Sequence, residues 1–111
     1  MAEEKAIAEK EASLDTFEIE LKKEIEYDGK KYSRLSFDFG KLTGEDGLNI
    51  ENELSALGKM AMVPAFSGEY LIRMAAKACD EPIGSDIFKI ISLADFNRIR
   101  SAARSFLLKS E

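Results

Sequence analysis

The chain has 111 residues, 45% hydrophobic and 33% charged, enough for one domain around one modest core and too few for a multidomain enzyme. It contains no histidine, no tryptophan and a single cysteine, Cys79, which excludes disulfide frameworks, His/Cys zinc sites and every catalytic triad or dyad built on imidazole. The formal net charge of −5 speaks against generic nucleic-acid binding, because that binding rests on cations neutralising phosphates.

Residues 1–14 are rich in Glu, Lys and Ala, with Ile7 and Leu14 as the sizeable apolar anchors after the initiator. A flexible charged arm is expected there, since a helix this short is marginal without a packed face. A single domain is expected over 15–111. From Thr16 the period changes to two: Phe17, Ile19 and Leu21 alternate with Glu18, Glu20 and Lys22, and Ile25 and Tyr27 resume the pattern, which marks a half-buried strand. Asp28-Gly29 suits the positive φ angles of a tight turn, and the return strand carries Tyr32, Leu35, Phe37 and Phe39, so a β-hairpin is predicted over 16–39. A two-residue loop pairs Ile25 with Tyr32, but Tyr32 and Leu35 differ in parity; a bulge near Ser33-Arg34, or else a longer loop, is therefore expected.

Thr43 followed by Glu45 and Asp46 has the form of a helix start with a cap and first-turn acids, and Ile50, Leu54, Leu57 and Ala61 share a face. Gly58 and Pro64 limit the run, giving a helix over about 43–60. The stretch 60–66 is apolar and irregular, placed either in the core or toward a partner. A second helix is predicted over 67–79. Tyr70, Leu71, Met74, Ala75 and Ala78 form one side of it, and Ile72 and Cys79 widen the apolar arc to about 200°, more than one neighbour of a small domain covers. Asp80-Glu81-Pro82 breaks the chain, a short helix is predicted over 85–91, and Ser92 with Asp95 forms a second cap. The last helix, 93–109, carries Phe96, Ile99, Ala103, Phe106 and Leu107 on one stripe. A hairpin followed by three to four helices reads as an α+β fold.

The constellations that carry chemistry are weak. The carboxylates of Glu18/Glu20 and Glu24/Glu26 lie on the charged face of a hairpin beside Lys22 and Lys23, where ordinary solvation accounts for them. Asp46, Asn49 and Asn52 lack the spacing of a calcium loop, and Gly44 and Gly47 precede no Gly-Lys-Ser/Thr run. Tyr27 and Tyr32 with Lys30, Lys31 and Arg34 resemble a base-stacking surface, but cross-strand packing is the commoner use of such a pair. No catalytic, cofactor or metal site is assigned, and an enzyme is not expected. No stretch has the length and apolarity of a membrane helix, and a lone thiol suits a reducing cytoplasm. Charge is divided unevenly: residues 1–53 hold 8 basic and 15 acidic side chains, residues 54–111 hold 8 basic and 6 acidic.

The order and spacing of Ile25-Glu26-Tyr27-Asp28-Gly29-Lys30-Lys31-Tyr32, Leu35 to Phe39, Leu42-Thr43-Gly44-Glu45-Asp46 and Ile90-Ile91-Ser92-Leu93-Ala94-Asp95-Phe96 resemble those of the tail assembly chaperones of long-tailed bacteriophages and prophages, in particular the Mu-like tail assembly protein family. The resemblance spans residues 16–108. It implies a small protein of the bacterial host cytoplasm that binds the tape measure protein and keeps it soluble until tail tube subunits polymerise around it, and that forms rings or spirals of identical subunits. A structural virion component, a tube or connector piece, and a small non-viral adaptor are the competing readings. The residues expected to face a partner or a second copy are Met60, Met62, Val63, Phe66 and Ile72, with Arg98, Arg100 and Arg104 as a basic helix face meeting the acidic half of a neighbour.

Overall fold

A computed structural model describes residues 15–60 and 62–109; the arm predicted over 1–14 lies outside the described residues, as does Ala61. The architecture is α+β. Strand β1 (Thr16–Tyr27) pairs antiparallel with β2 (Lys30–Asp38), and three helices follow: α1 (Gly44–Ala56), α2 (Gly68–Ala78) and α3 (Leu93–Lys109). The hairpin closes on Asp28 and Gly29, both at positive φ (51° and 80°), the geometry that a two-residue turn matching the strand twist demands.

Ile25 faces Tyr32, as the parity of the loop requires, yet Phe17 faces Phe37 and Ile19 faces Leu35. The register therefore shifts between Glu20 and Ile25. The irregularity lies at the height expected, but the surplus belongs to β1, where residues 21–24 stand against the single residue 33, rather than to the stretch around Ser33-Arg34. The shift restores one apolar face: Ile19, Leu35 and Phe37 are buried, and the Phe37 ring stacks on Phe17, Phe39 and Phe88 at centroid distances of 6.2, 6.0 and 6.5 Å. It also leaves a backbone donor off the ladder. The Lys22 N–H points to the carboxylate of Asp95, 2.8 Å away and wholly buried at the start of α3.

Each helix begins where its cap is written. Thr43 and Asp46 form a reciprocal capping box, and Ser67 Oγ accepts from the Tyr70 N–H at 3.1 Å. Ser92 Oγ accepts from the Asp95 N–H at 3.2 Å and donates to its carboxylate at 2.9 Å, which satisfies donors that have no partner inside the helix. Two boundaries differ from expectation. Helix α1 stops at Ala56 rather than near Met60, because Gly58 takes φ 72° and the Lys59 N–H returns to the Leu54 carbonyl at 2.8 Å while the Gly58 N–H reaches that of Ser55 at 3.0 Å, the two bonds of a Schellman ending. The short helix predicted over 85–91 is instead a 3-10 turn, Ser85–Lys89.

The second correction of substance concerns α2. Its broad apolar arc is covered within the chain: Tyr70, Leu71, Ile72, Met74, Ala75 and Ala78 are all buried, against α1, α3, β2 and the turns before and after the helix. The segment after α2 also fastens the helix to the hairpin. Residue 79 bridges to Phe37, the Asp80 N–H donates to the Ser36 carbonyl at 2.8 Å, and the Ser36 N–H donates to the Glu81 carboxylate at 2.6 Å. On the hairpin's far side, the Tyr27 hydroxyl donates to Asp86 Oδ1 at 2.8 Å and accepts from the Gly84 N–H at 3.2 Å. A Cβ at position 84 would lie 2.9 Å from Asp86 Oδ1 and 3.2 Å from the Tyr27 hydroxyl, so a side chain there displaces this hydrogen-bonded pair.

Candidate interaction surface

Between the Schellman ending of α1 and the Ser67 cap of α2 the chain crosses the surface without regular structure except a 3-10 turn, Pro64–Phe66. Both ends of this crossing are fastened. Lys59 Nζ pairs with Glu69 Oε1 at 3.0 Å. Arg104 Nε donates to the Ala65 carbonyl at 2.9 Å, and the Ala65 side chain is buried. Between these fixings the apolar side chains face solvent: Met60 is 87% exposed, Met62 91%, Phe66 71% and Val63 52%. Contiguous apolar surface of this kind is what single domains ordinarily avoid, and two methionines give it the conformational range to fit an irregular partner.

A second apolar feature adjoins it. Ile72 lies at the floor of a groove of about 600 Å³ formed by Gly68 and Glu69 on α2, Phe88, Lys89 and Ile91 after it, and Leu93 and Phe96 on α3. Ile72 itself is 8% exposed and belongs to the core, so it is not the outward-facing residue expected of it. The lip is supplied by Leu93, 73% exposed, a residue off the apolar stripe that begins at Phe96. Its position off the stripe, at the first residue of a capped helix, is the signal by which it stands out in the sequence.

The three arginines do not form one free basic face. Arg98 reaches the buried Asp95 carboxylate at 3.5 Å. The Arg100 guanidinium lies 5.6 Å from the Phe96 ring centroid and donates to Asn97 Oδ1 at 3.2 Å, with its Nε buried and unpaired. Arg104 holds Ala65. Arg100 and Arg104 thus link the groove to the 3-10 turn, since α3 passes beneath both. Arg73 meets Glu53 and Glu69 at 3.3 and 3.7 Å, and Lys77 meets Glu53 at 3.1 Å.

The other residues singled out in the sequence have structural partners. Glu18 pairs diagonally with Arg34 across the hairpin. Tyr27 is held by Asp86, whose carboxylate, accepting the hydroxyl's hydrogen bond, pushes the phenol above its usual value. Cys79 is buried, and that burial raises its thiol from an ordinary 9.0 to about 12, far from the depressed range of a reactive cysteine. Among the described residues no group of three or more Asp, Glu, Cys or His side chains is placed to hold a metal ion, and no helix is long and apolar enough to cross a membrane. Comparison with protein-family models, with curated proteins and with solved structures finds no match to this chain.

Proposed function

We propose that this protein is a tail assembly chaperone of a long-tailed phage or prophage, acting in the host cytoplasm as an oligomer that binds the tape measure protein and keeps it soluble until the tail tube polymerises. The observation that carries the reading is the crossing between α1 and α2, where Met60, Met62, Val63 and Phe66 stand exposed on a segment whose two ends are fixed by Lys59 and Arg104. A tape measure is a long chain with apolar helical stripes. A subunit that shields such stripes needs adaptable apolar contacts held on a stable scaffold, with charge around them to keep the free subunit dispersed. The motif order in the sequence supports the same reading, and it assigns the chain neither a reaction nor a cofactor.

Co-expression tests it. The chain is produced together with a tape measure protein encoded beside it, and the soluble fraction of the latter is measured with and without the chain. Soluble tape measure protein that co-purifies with the wild type, and is lost with Met62→Glu/Phe66→Glu while the variant keeps its own fold, supports the assignment. Equal solubility in all three cases overturns it.

A further inference from the structure

The groove beneath Leu93 has an imbalance of charge. Of the residues lining it two are ionic, Glu69 and Lys89, and Glu69 is already engaged by Lys59 and Arg73. Lys89 and the nearby Arg100 have no carboxylate partner among the described ion pairs, and Arg100 lies over the Phe96 ring that forms the groove wall, with its buried Nε unbonded. An apolar occupant with carboxylates on its flank fits this surface.

The chain carries such a segment. In residues 1–14 the large apolar side chains after the initiator are Ile7 and Leu14, seven apart, so that on a helix they fall on one side about 10 Å from each other. Glu4 and Glu11, also seven apart, fall together on one flank of that stripe, and Glu3 and Glu9 add to the acidic charge against Lys5 and Lys10. A helix of this length lacks stability unless a face is packed; the groove offers that face.

We propose that residues 1–14 of one copy dock in the groove of a second copy, with Ile7 and Leu14 against Leu93, Phe96 and Ile72 and the glutamates toward Lys89 and Arg100. The path of the backbone keeps Leu14 of the groove's own chain away from Phe96, so that the two anchors cannot both be supplied by the same copy. The Asp15 carbonyl accepts from the Phe39 and Gly40 N–H groups, and the Phe39 ring stacks 5.7 Å from Phe106 in the last turns of α3. Leu14 immediately precedes Asp15, about 3.8 Å away, whereas Phe96 lies ten residues back from Phe106 along α3, about 15 Å away. The contact is therefore between copies and head-to-tail, one surface giving and a different one receiving, so it propagates into a ring or a spiral. It stands without the tape-measure role, and its test uses this chain alone.

The test is sedimentation velocity on the full chain and on a variant lacking residues 2–13, up to about 100 µM and at low and high salt. The full chain is expected to associate, less so at high salt, and the truncated variant to stay monomeric. A labelled peptide of residues 1–14 then binds the truncated variant, and Leu93→Glu weakens that binding at least tenfold. Lys89→Glu weakens the binding as well, and a peptide with Glu4→Lys and Glu11→Lys recovers it. A full chain that is monomeric throughout, a truncated variant that associates as the parent does, or peptide binding indifferent to both Leu93→Glu and Lys89→Glu overturns the proposal.

Discussion

Replacing Asp95 by alanine examines the joint between the hairpin and the last helix. The carboxylate is wholly buried and accepts from two donors, the Lys22 N–H at 2.8 Å and Ser92 Oγ at 2.9 Å, with Arg98 Nη1 at 3.5 Å from its other oxygen. Alanine leaves the Lys22 N–H without a partner, at about 1–3 kcal/mol, and removes hydrogen bonds to a charged acceptor that contribute about 1.5–3 kcal/mol each. Relief of the carboxylate's own desolvation offsets part of this. The net loss is expected to be on the order of 2–4 kcal/mol, a large share of the about 5–15 kcal/mol that holds a domain folded. Asp95→Asn keeps one oxygen for one donor and is expected to lose about half as much. Urea unfolding monitored by circular dichroism gives the free energies, and amide hydrogen exchange gives the location: Lys22 should lose protection in Asp95→Ala beyond what global destabilisation accounts for. A loss below about 0.5 kcal/mol, or a Lys22 amide that exchanges as in the parent, refutes the view that this carboxylate fastens the bulge to α3.

Phe37→Ala removes a ring stacked on three others and 2% exposed, and a loss of about 3–5 kcal/mol in chemical denaturation is expected; a melting curve like the parent's contradicts the placement of the strand faces. For Cys79 the sign follows from its raised value. The folded state holds the thiol proton more tightly than the unfolded chain, so its contribution to stability is complete below the ordinary value of 9.0 and diminishes as the pH climbs toward about 12. Unfolding free energies measured from pH 8 to pH 11 should therefore decline less steeply in Cys79→Ala than in the parent, and equal slopes refute the assignment.

The features legible in the sequence are those decided by neighbours along the chain. Asp28-Gly29 sets its own turn, and Thr43, Ser67 and Ser92 set their own helix starts, because cap and capped amide are three residues apart. The register shift of β1 is decided elsewhere, by the match of Phe17 to Phe37 and by the Lys22 contact with Asp95 across 73 positions. The breadth of the α2 arc was legible as a number but not as a consequence. It implied an outside neighbour, whereas the cover comes from α1, α3, β2 and the turns on either side of the helix, which a reading of one helix at a time does not bring together. Arg98, Arg100 and Arg104 read as one basic face by spacing, yet each is drawn to a different group by packing. Composition leaves Met60, Met62, Val63 and Phe66 undecided between core and surface, since it is the same for both; in the structure all four are exposed on a crossing held at Lys59 and Ala65. The end of α1 carried a usable sign in Gly58, a glycine just past the last periodic residue.

A sheet of two strands has two margins, and each unpaired margin is a template on which another chain can add. At the Ser36 end of β2 that template is occupied, because the Asp80 amide takes the Ser36 carbonyl and the Glu81 carboxylate stands in for a strand carbonyl at the Ser36 amide. Along β1 the regular ladder is interrupted after Glu20, where residues 21–24 twist the margin out of line. The flat margin through which crowded copies of a hairpin zip into fibrils is thereby shortened on both sides of this sheet.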